Sequence, residues 1–198
     1  MSLSVSVVRT GTANLASVEA AFNRLGVQTR FVLTADEVAG SDRLILPGVG
    51  AFGAAMRNID AANLTEALRE RILAGRHTLA ICLGIQLLCA SSDESPEERG
   101  LDILPVSAKK LEAGEKLRLP QMGWNSVHAS GALVRDGDYY FANSFALQGE
   151  VPGWDVSTFS YGANYVAAVQ RGAVLGCQFH PELSGDLGMS LLEEWLAC

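Results

Sequence analysis

Residues 80–84 read Ala80-Ile81-Cys82-Leu83-Gly84, with small side chains two before and two after a cysteine. This is the spacing of a nucleophile elbow, a turn so tight that the backbones of the strand before it and the helix after it nearly touch. A helix beginning just after Cys82 would present its positive end to the sulfur and favour the thiolate. The other reading of Cys82 is a buried structural cysteine, the usual state of a free thiol. A cysteine nucleophile needs a base, and the chain has three histidines. His77 precedes a short apolar run, Thr78 to Ile81, which places it at the opposite end of that strand from Cys82. His128 has no carboxylate nearby until Asp136. His180 follows an apolar run, Val174 to Phe179, and Pro181 keeps it out of helical geometry. Glu182 lies two residues on. In extended backbone such residues point the same way, about 6.6 Å apart, so the carboxylate can reach back to orient the imidazole and stabilise its cation.

Acyl transfer through a thioester also develops an oxyanion that needs donors. The Leu83 N–H, next after the nucleophile, is one candidate. Gly48-Val49-Gly50 is a second, because flanking glycines allow unusual dihedrals and close approach to a ligand. Alternatively, these glycines only turn the chain after a strand. Residue types and spacing thus reach acyl transfer by cysteine and leave the substrate open.

The elements that must position these groups alternate in the first half of the chain. Ser4 to Val8 reads as a strand ending in the turn-prone Thr10-Gly11-Thr12, and Leu15, Val18, Phe22 and Leu25 recur at helical spacing before Gly26. Val27 to Leu33 is a second strand, Thr34 and Glu37 form a capping box for a short helix, and Arg43 to Leu46 is a third strand. One helical stretch is expected over Ala54 to Leu73, then the strand Thr78 to Ile81 and a helix from Gly84 to Ala90. The acidic stretch Ser91 to Arg99 reads as a solvated loop. The second half is rich in short strand-like runs, at Ile103 to Val106, Tyr139 to Phe145, Val156 to Phe159, Tyr165 to Val169 and Val174 to Phe179. A last helix is expected from Asp186 to Ala197. The fold class is therefore α/β, a mostly parallel central sheet flanked by helices with antiparallel strands added to the same sheet in the second half. Ligands of such sheets bind at the carboxyl ends of the strands.

With 198 residues, 48% hydrophobic and 19% charged, the chain is expected to fold as a single domain spanning residues 1–198. A net charge of −7 without any basic stripe argues against nucleic acid. The first charged residue is Arg9, and the uncharged run His77 to Ser92 is shorter than the ~18 apolar residues of a membrane span, so a cytoplasmic protein is expected. The four cysteines form no C-x-x-C pair and no cluster with histidine, so neither a metal nor another cofactor is expected.

Taken together, Leu46-Pro-Gly-Val-Gly-Ala-Phe52, Ile81-Cys-Leu-Gly-Ile-Gln-Leu-Leu88, Pro120-Gln-Met-Gly-Trp-Asn125, Gly176-Cys-Gln-Phe-His-Pro-Glu182 and Gly11-Thr-Ala-Asn-Leu15 span nearly the whole chain. They resemble the glutaminase subunits of imidazole glycerol phosphate synthase, within the triad-type glutamine amidotransferases. The resemblance implies that L-glutamine is hydrolysed and that ammonia passes to a partner cyclase subunit, a (β/α)₈ barrel of histidine biosynthesis, in a heterodimer. It makes Cys82 the nucleophile, His180 the base and acid, and Glu182 its partner. Val49, Gly50 and Leu83 fall on the oxyanion segments. Gln86, Asn143, Ser144 and Phe145 fall where the amino-acid end of glutamine is held, and Asn14, Met122 and Trp124 face the cyclase. On residue type alone, Met122 and Trp124 would be core residues. The sequence departs from the family pattern at Ala80 (commonly Gly), Asn143 (His), Phe145 (Tyr) and Leu183 (a basic residue). The competing readings are a glutaminase of a different synthase and a regulatory subunit that retains the triad without turnover.

Overall fold

The computed structural model describes residues 3–9, 15–114 and 117–198. Five strands supply the parallel half of the main sheet: β1 (Ser4–Val8), β2 (Gln28–Val32), β3 (Leu44–Leu46), β4 (Thr78–Ile81) and, from the end of the chain, β12 (Val174–Cys177). The intervening strands are β5 (Cys89–Ser92), β6 (Leu104–Lys110), β7 (Gln121–His128), β8 (Gly137–Asn143), β9 (Phe145–Leu147), β10 (Asp155–Tyr161) and β11 (Ala163–Arg171). The helices are α1 (Ala16–Arg24), α2 (Ala35–Gly40), α3 (Phe52–Ala61), α4 (Thr65–Leu73), α5 (Leu83–Leu87) and α6 (Gly185–Ala197), with a 3-10 turn at Pro181–Leu183.

The nine-stranded sheet runs β2-β1-β3-β4-β12-β11-β10-β7-β8. Pairing is parallel from β2 to β12 and antiparallel from β12 to β8. One expectation needs correction: β5, β6 and β9 form a separate three-stranded sheet instead of extending the main one. The apolar alternation of β4 divides its side chains between the two faces. Leu79 and Ile81 join the core that holds Phe22, Phe141, Phe159 and Trp195, while Ala80 joins the core of Leu46, Phe52, Met56 and Leu83. Among the described residues no helix is long and apolar enough to cross a membrane.

Local chemistry accounts for most boundaries. The capping box at Thr34 and Glu37 is formed in both directions. The helical stretch expected over Ala54 to Leu73 is two helices, because Asn63 takes φ 55° and its N–H returns to the Asp60 carbonyl, a left-handed stop that asparagine tolerates. The helix expected from Gly84 to Ala90 ends at Leu87, and β5 follows it directly. Strand β7 was not expected, since its pattern is inverted: Met122 and Trp124 point outward while Gln121 is buried. Below the sheet, the buried Arg71 guanidinium donates to the carbonyls of Val38, Ser41, Asp42 and His77, fixing the turns that lead into β3 and β4.

Two close approaches hold the end of β4. A Cβ on Gly84 would stand 2.1 Å from the Leu46 carbonyl oxygen of β3, and one on Gly48 would stand 2.4 Å from the Leu83 Cβ. A Cβ on Gly48 would also stand 2.8 Å from the Gly84 backbone N, so at both glycines backbone is in the way and cannot yield as a flexible side chain can. Gly84→Ala is expected to lower stability by about 3 kcal/mol, the upper end for overpacking, as measured by urea unfolding against the parent chain.

Candidate active site

Cys82 lies between β4 and α5 with φ 54° and ψ −107°, a conformation rare for any residue other than glycine. The strand stops because Cys82 turns, and the turn is possible because Gly84 lets α5 lie against Leu46. The parallel register pairs Ile81 with Cys177, and the Cys82 N–H donates to the Cys177 carbonyl at 2.8 Å. The chain leaving β12 therefore passes beside the elbow and brings His180 to Cys82.

His180 is held from several sides. Its N–H donates to the Tyr140 carbonyl at 2.8 Å, and the Ser184 hydroxyl donates to its carbonyl at 2.6 Å. Ser184 Oγ also accepts the Tyr140 N–H, tying β8 to the 3-10 turn. The His180 Nδ1 lies 2.9 Å from Glu182 Oε1, with both side chains buried. Burial pulls the imidazole toward neutrality, but hydrogen bonds to Cys82 and Glu182 outweigh it and raise its pKa to about 10. The site thus favours an imidazolium between a sulfur and a carboxylate. The other candidates are placed elsewhere: His77 packs edge-on against Trp195 and bonds its carbonyl, and burial lowers its pKa. Burial likewise pushes the thiols of Cys89 and Cys177 up.

Above these residues opens a cavity of about 420 Å³. Its wall carries Val49, Gly50, Cys82, Leu83, Gln86, Asn143, Ser144, Phe145, His180 and Glu182, so it gathers the sequence-derived candidates for triad, oxyanion and glutamine contacts into one space. Met122 lines its mouth, and Trp124 stands outside against Tyr140. Asn14 lies outside the described residues, as does most of the Gly11 to Leu15 stretch.

The class-I glutamine amidotransferase family matches residues 6–197. The imidazole glycerol phosphate synthase subunit HisH of Symbiobacterium thermophilum is 40% identical over 197 residues, covering 96% of this chain and 92% of that protein. The chain belongs to the class-I glutamine amidotransferases, in the branch of these HisH subunits. The chloroplastic imidazole glycerol phosphate synthase hisHF of Arabidopsis thaliana is 36% identical over 199 residues, which cover 97% of this chain but 34% of the longer plant protein. A crystal structure of a glutamine amidotransferase, 21% identical, superposes with a TM-score of 0.77 over 98% of this chain and 97% of that one, a likeness of fold.

Within this amidotransferase, three features of the site depart from what the sequence suggested. First, the Leu83 N–H is not free: it donates to the Gly48 carbonyl at 3.2 Å. Second, Gln86 and Asn143 both spend an amide N–H on the Phe145 carbonyl, at 2.9 and 3.0 Å, and so brace the Ser144–Phe145 wall. Third, the acidic stretch is not a plain solvated loop. Glu94 lines the cavity and accepts the Phe52 N–H at 2.6 Å, while Ser95 Oγ accepts the Gly53 N–H, so the loop caps the otherwise uncapped α3. No motif marks Glu94 in the sequence; the one signal is a helix start at Ala51-Phe52 with no capping side chain of its own.

The elevated imidazole pKa has a direct kinetic consequence. Because Glu182 helps hold the proton on His180, Glu182→Gln lets the ring lose it at lower pH, while the amide can still orient Nδ1. The alkaline limb of kcat/KM for glutamine should then move to lower pH, and turnover should fall less than in His180→Ala. An unchanged limb in steady-state pH profiles would show that the carboxylate charge is not used.

Proposed function

We propose that this chain is the glutaminase subunit of imidazole glycerol phosphate synthase, working in the cytoplasm as a heterodimer with a cyclase subunit to which it passes ammonia. The observation that carries the reading is the buried contact series Cys82, His180, Glu182 on the floor of one cavity. In this reading Cys82 Sγ attacks the side-chain amide carbon of L-glutamine. The C–N bond breaks as His180 protonates the leaving nitrogen, and a thioester and ammonia result. Water, deprotonated by His180, then adds to the thioester, the C–S bond breaks, and glutamate leaves. Glu182 keeps the imidazole oriented through both steps.

The cavity also suggests how the amino acid is held. Its two carboxylates are Glu94 and Glu182, and Glu182 is engaged by His180. The α-ammonium of glutamine therefore goes to Glu94, while the braced Ser144–Phe145 wall faces the α-carboxylate. Glu94→Gln should raise KM for glutamine at least about tenfold in steady-state assays, since it removes a charge-assisted bond.

The oxyanion donors are assigned to the Leu83 N–H and the Val49 N–H, the latter in the Gly48–Val49–Gly50 segment. The bond from the Leu83 N–H to the Gly48 carbonyl competes with this task, so the isolated chain should be slow. Gly50, at φ 105°, lies in a segment whose peptides can reorient, and a partner that binds the reoriented form better would populate it. One oxyanion donor is worth about 2.7–4 kcal/mol, so stimulation on the order of a hundredfold or more is available. Met122 and Trp124, 68% and 58% exposed, together with Asn14, are proposed to face the cyclase, and the longer plant relative supports a close working partner.

The test is glutamate release by the chain alone, with the cyclase, and with the cyclase carrying its substrate. The rate should rise through that series, and Val49→Pro, which deletes a donor N–H, should remove the rise in a folded protein. Cys82→Ala should abolish glutamine-dependent synthesis and spare synthesis from free ammonia. No glutamate in any condition would mean a triad retained without turnover.

A further inference from the structure

The sulfur of Cys82 has one more polar neighbour. Gln178, fully buried between Cys177 and Phe179, places its side-chain Nε2 3.7 Å from Cys82 Sγ. Which end of this amide faces the sulfur follows from a chain of bonds that begins at a backbone carbonyl. The Phe145 carbonyl can only accept, so Gln86 must present its Nε2 there, at 2.9 Å. The same Nε2 lies 3.0 Å from Gln178 Oε1 and donates to it. With its oxygen held, the Gln178 amide turns its nitrogen to Cys82.

The backbone makes this contact rigid. Gln178 N–H donates to the Ala167 carbonyl at 2.8 Å, and the Cys82 N–H donates to the Cys177 carbonyl, so the two residues sit on strand ends already fixed in register. A glutamine held at 0% exposure gives up its hydration, which a methionine of similar length would not need to do. On its other side the sulfur faces the Ala142 carbonyl at 4.0 Å, an acceptor that favours S–H over the thiolate. Gln178 opposes that preference.

The geometry points to Gln178 as a catalytic residue that donates its Nε2–H to the Cys82 sulfur. This rests on the glutaminase reading above and adds a neutral donor to it. His180 must change protonation during the cycle, whereas the amide keeps its hydrogen throughout. It holds the thiolate before attack on the amide carbon, and it receives the thiolate again when the C–S bond of the thioester breaks. Gln86, at the cavity wall, fixes the orientation of the donor and so joins the amino-acid end of the site to the nucleophile.

The experiment uses the full chain with Gln178→Met and Gln178→Glu. Alkylation of Cys82 by iodoacetamide is followed against pH by peptide mass spectrometry, beside glutamate release with the cyclase and thermal unfolding. Gln178→Met should move the midpoint of the alkylation profile up by about one pH unit, equivalent to about tenfold slower alkylation at pH below the midpoint, and lower kcat with little change in KM. Gln178→Glu keeps the volume and the bond from Gln86 but turns an oxygen to the sulfur, so it should move the profile further in the same direction and serves if the methionine variant does not fold. A folded variant with the parent alkylation profile overturns the proposal, and so does a loss of activity that follows only a loss of thermal stability. If the parent chain releases no glutamate while the profile still shifts, the glutaminase reading fails and the sulfur contact stands.

Discussion

The pairing of β4 with β12 governs the rest of the site. Parallel strands end on the same side of a sheet, and the register that sets Ile81 beside Cys177 makes the two chains leave the sheet together. The next residue on one is Cys82, and the third on the other is His180. No loop has to be ordered across solvent to join them. Neither position could move by one residue, since a slip in register would turn the side chains to the opposite face. Both strands are short and wholly buried, so the hydrophobic burial that stabilises the fold also sets the distance between Cys82 and His180.

That arrangement carries strain at one residue. Cys82 sits at positive φ, which costs on the order of 1–3 kcal/mol for a side chain with a Cβ. The cost is spread over contacts that would be lost if the turn relaxed: the Cys82 N–H to Cys177, the seating of Gly84 on the Leu46 carbonyl, and the packing of Ile85 against Gly176. The turn leaves Cys82 at the edge of the core, where it lines the cavity beside His180 and lies 3.7 Å from the buried Gln178 amide. The sequence pattern of small residues around Cys82 is legible because this packing tolerates so few alternatives; the buried Ala80 shows that the upstream position holds a methyl group.

Legibility elsewhere tracked the same physics. Elements buried on one face or both were readable, from β1 to the capping box at Thr34, because burial imposes a period and end groups impose caps. Strand β7 was not, since Met122 and Trp124 face outward while the polar Gln121 is buried along with Val127, and such an alternation has the wrong sign for a core. Strand β5 is masked because Cys89 and Ala90 run on from the apolar residues of α5 and read as more helix, while Ser91 and Ser92 read as the start of the acidic loop. Glu94 and Ser95 were hidden for another reason: an acidic run looks solvated whether or not one of its members caps a helix elsewhere in the chain. The triad could be found by elimination among three histidines, whereas Gln178 could not, because a lone amide in an apolar run does not say what it faces.

The outward apolar residues and the occupied Leu83 N–H belong to one economy of the isolated chain. Met122, Trp124 and Leu183 are exposed on elements next to the cavity, and covering them removes apolar surface from water at about 25 cal/mol per Å². The bond from Leu83 to Gly48 is a neutral backbone hydrogen bond, worth about 0.5–1.5 kcal/mol net. Burial of even part of one tryptophan is therefore comparable with the bond that would open in the proposed switch. Exposure alone does not open it, however. A partner shifts the Gly48–Val49–Gly50 segment only through contacts that differ between its two arrangements, so the covering surface must reach the cavity mouth as well as the rim. Met122 and Leu183 meet both requirements, being exposed and lining the cavity, whereas Trp124 meets only the first. In the proposed heterodimer the energy of docking can thus come from all three residues, while coupling to the Gly48–Val49–Gly50 segment would pass by way of Met122 and Leu183.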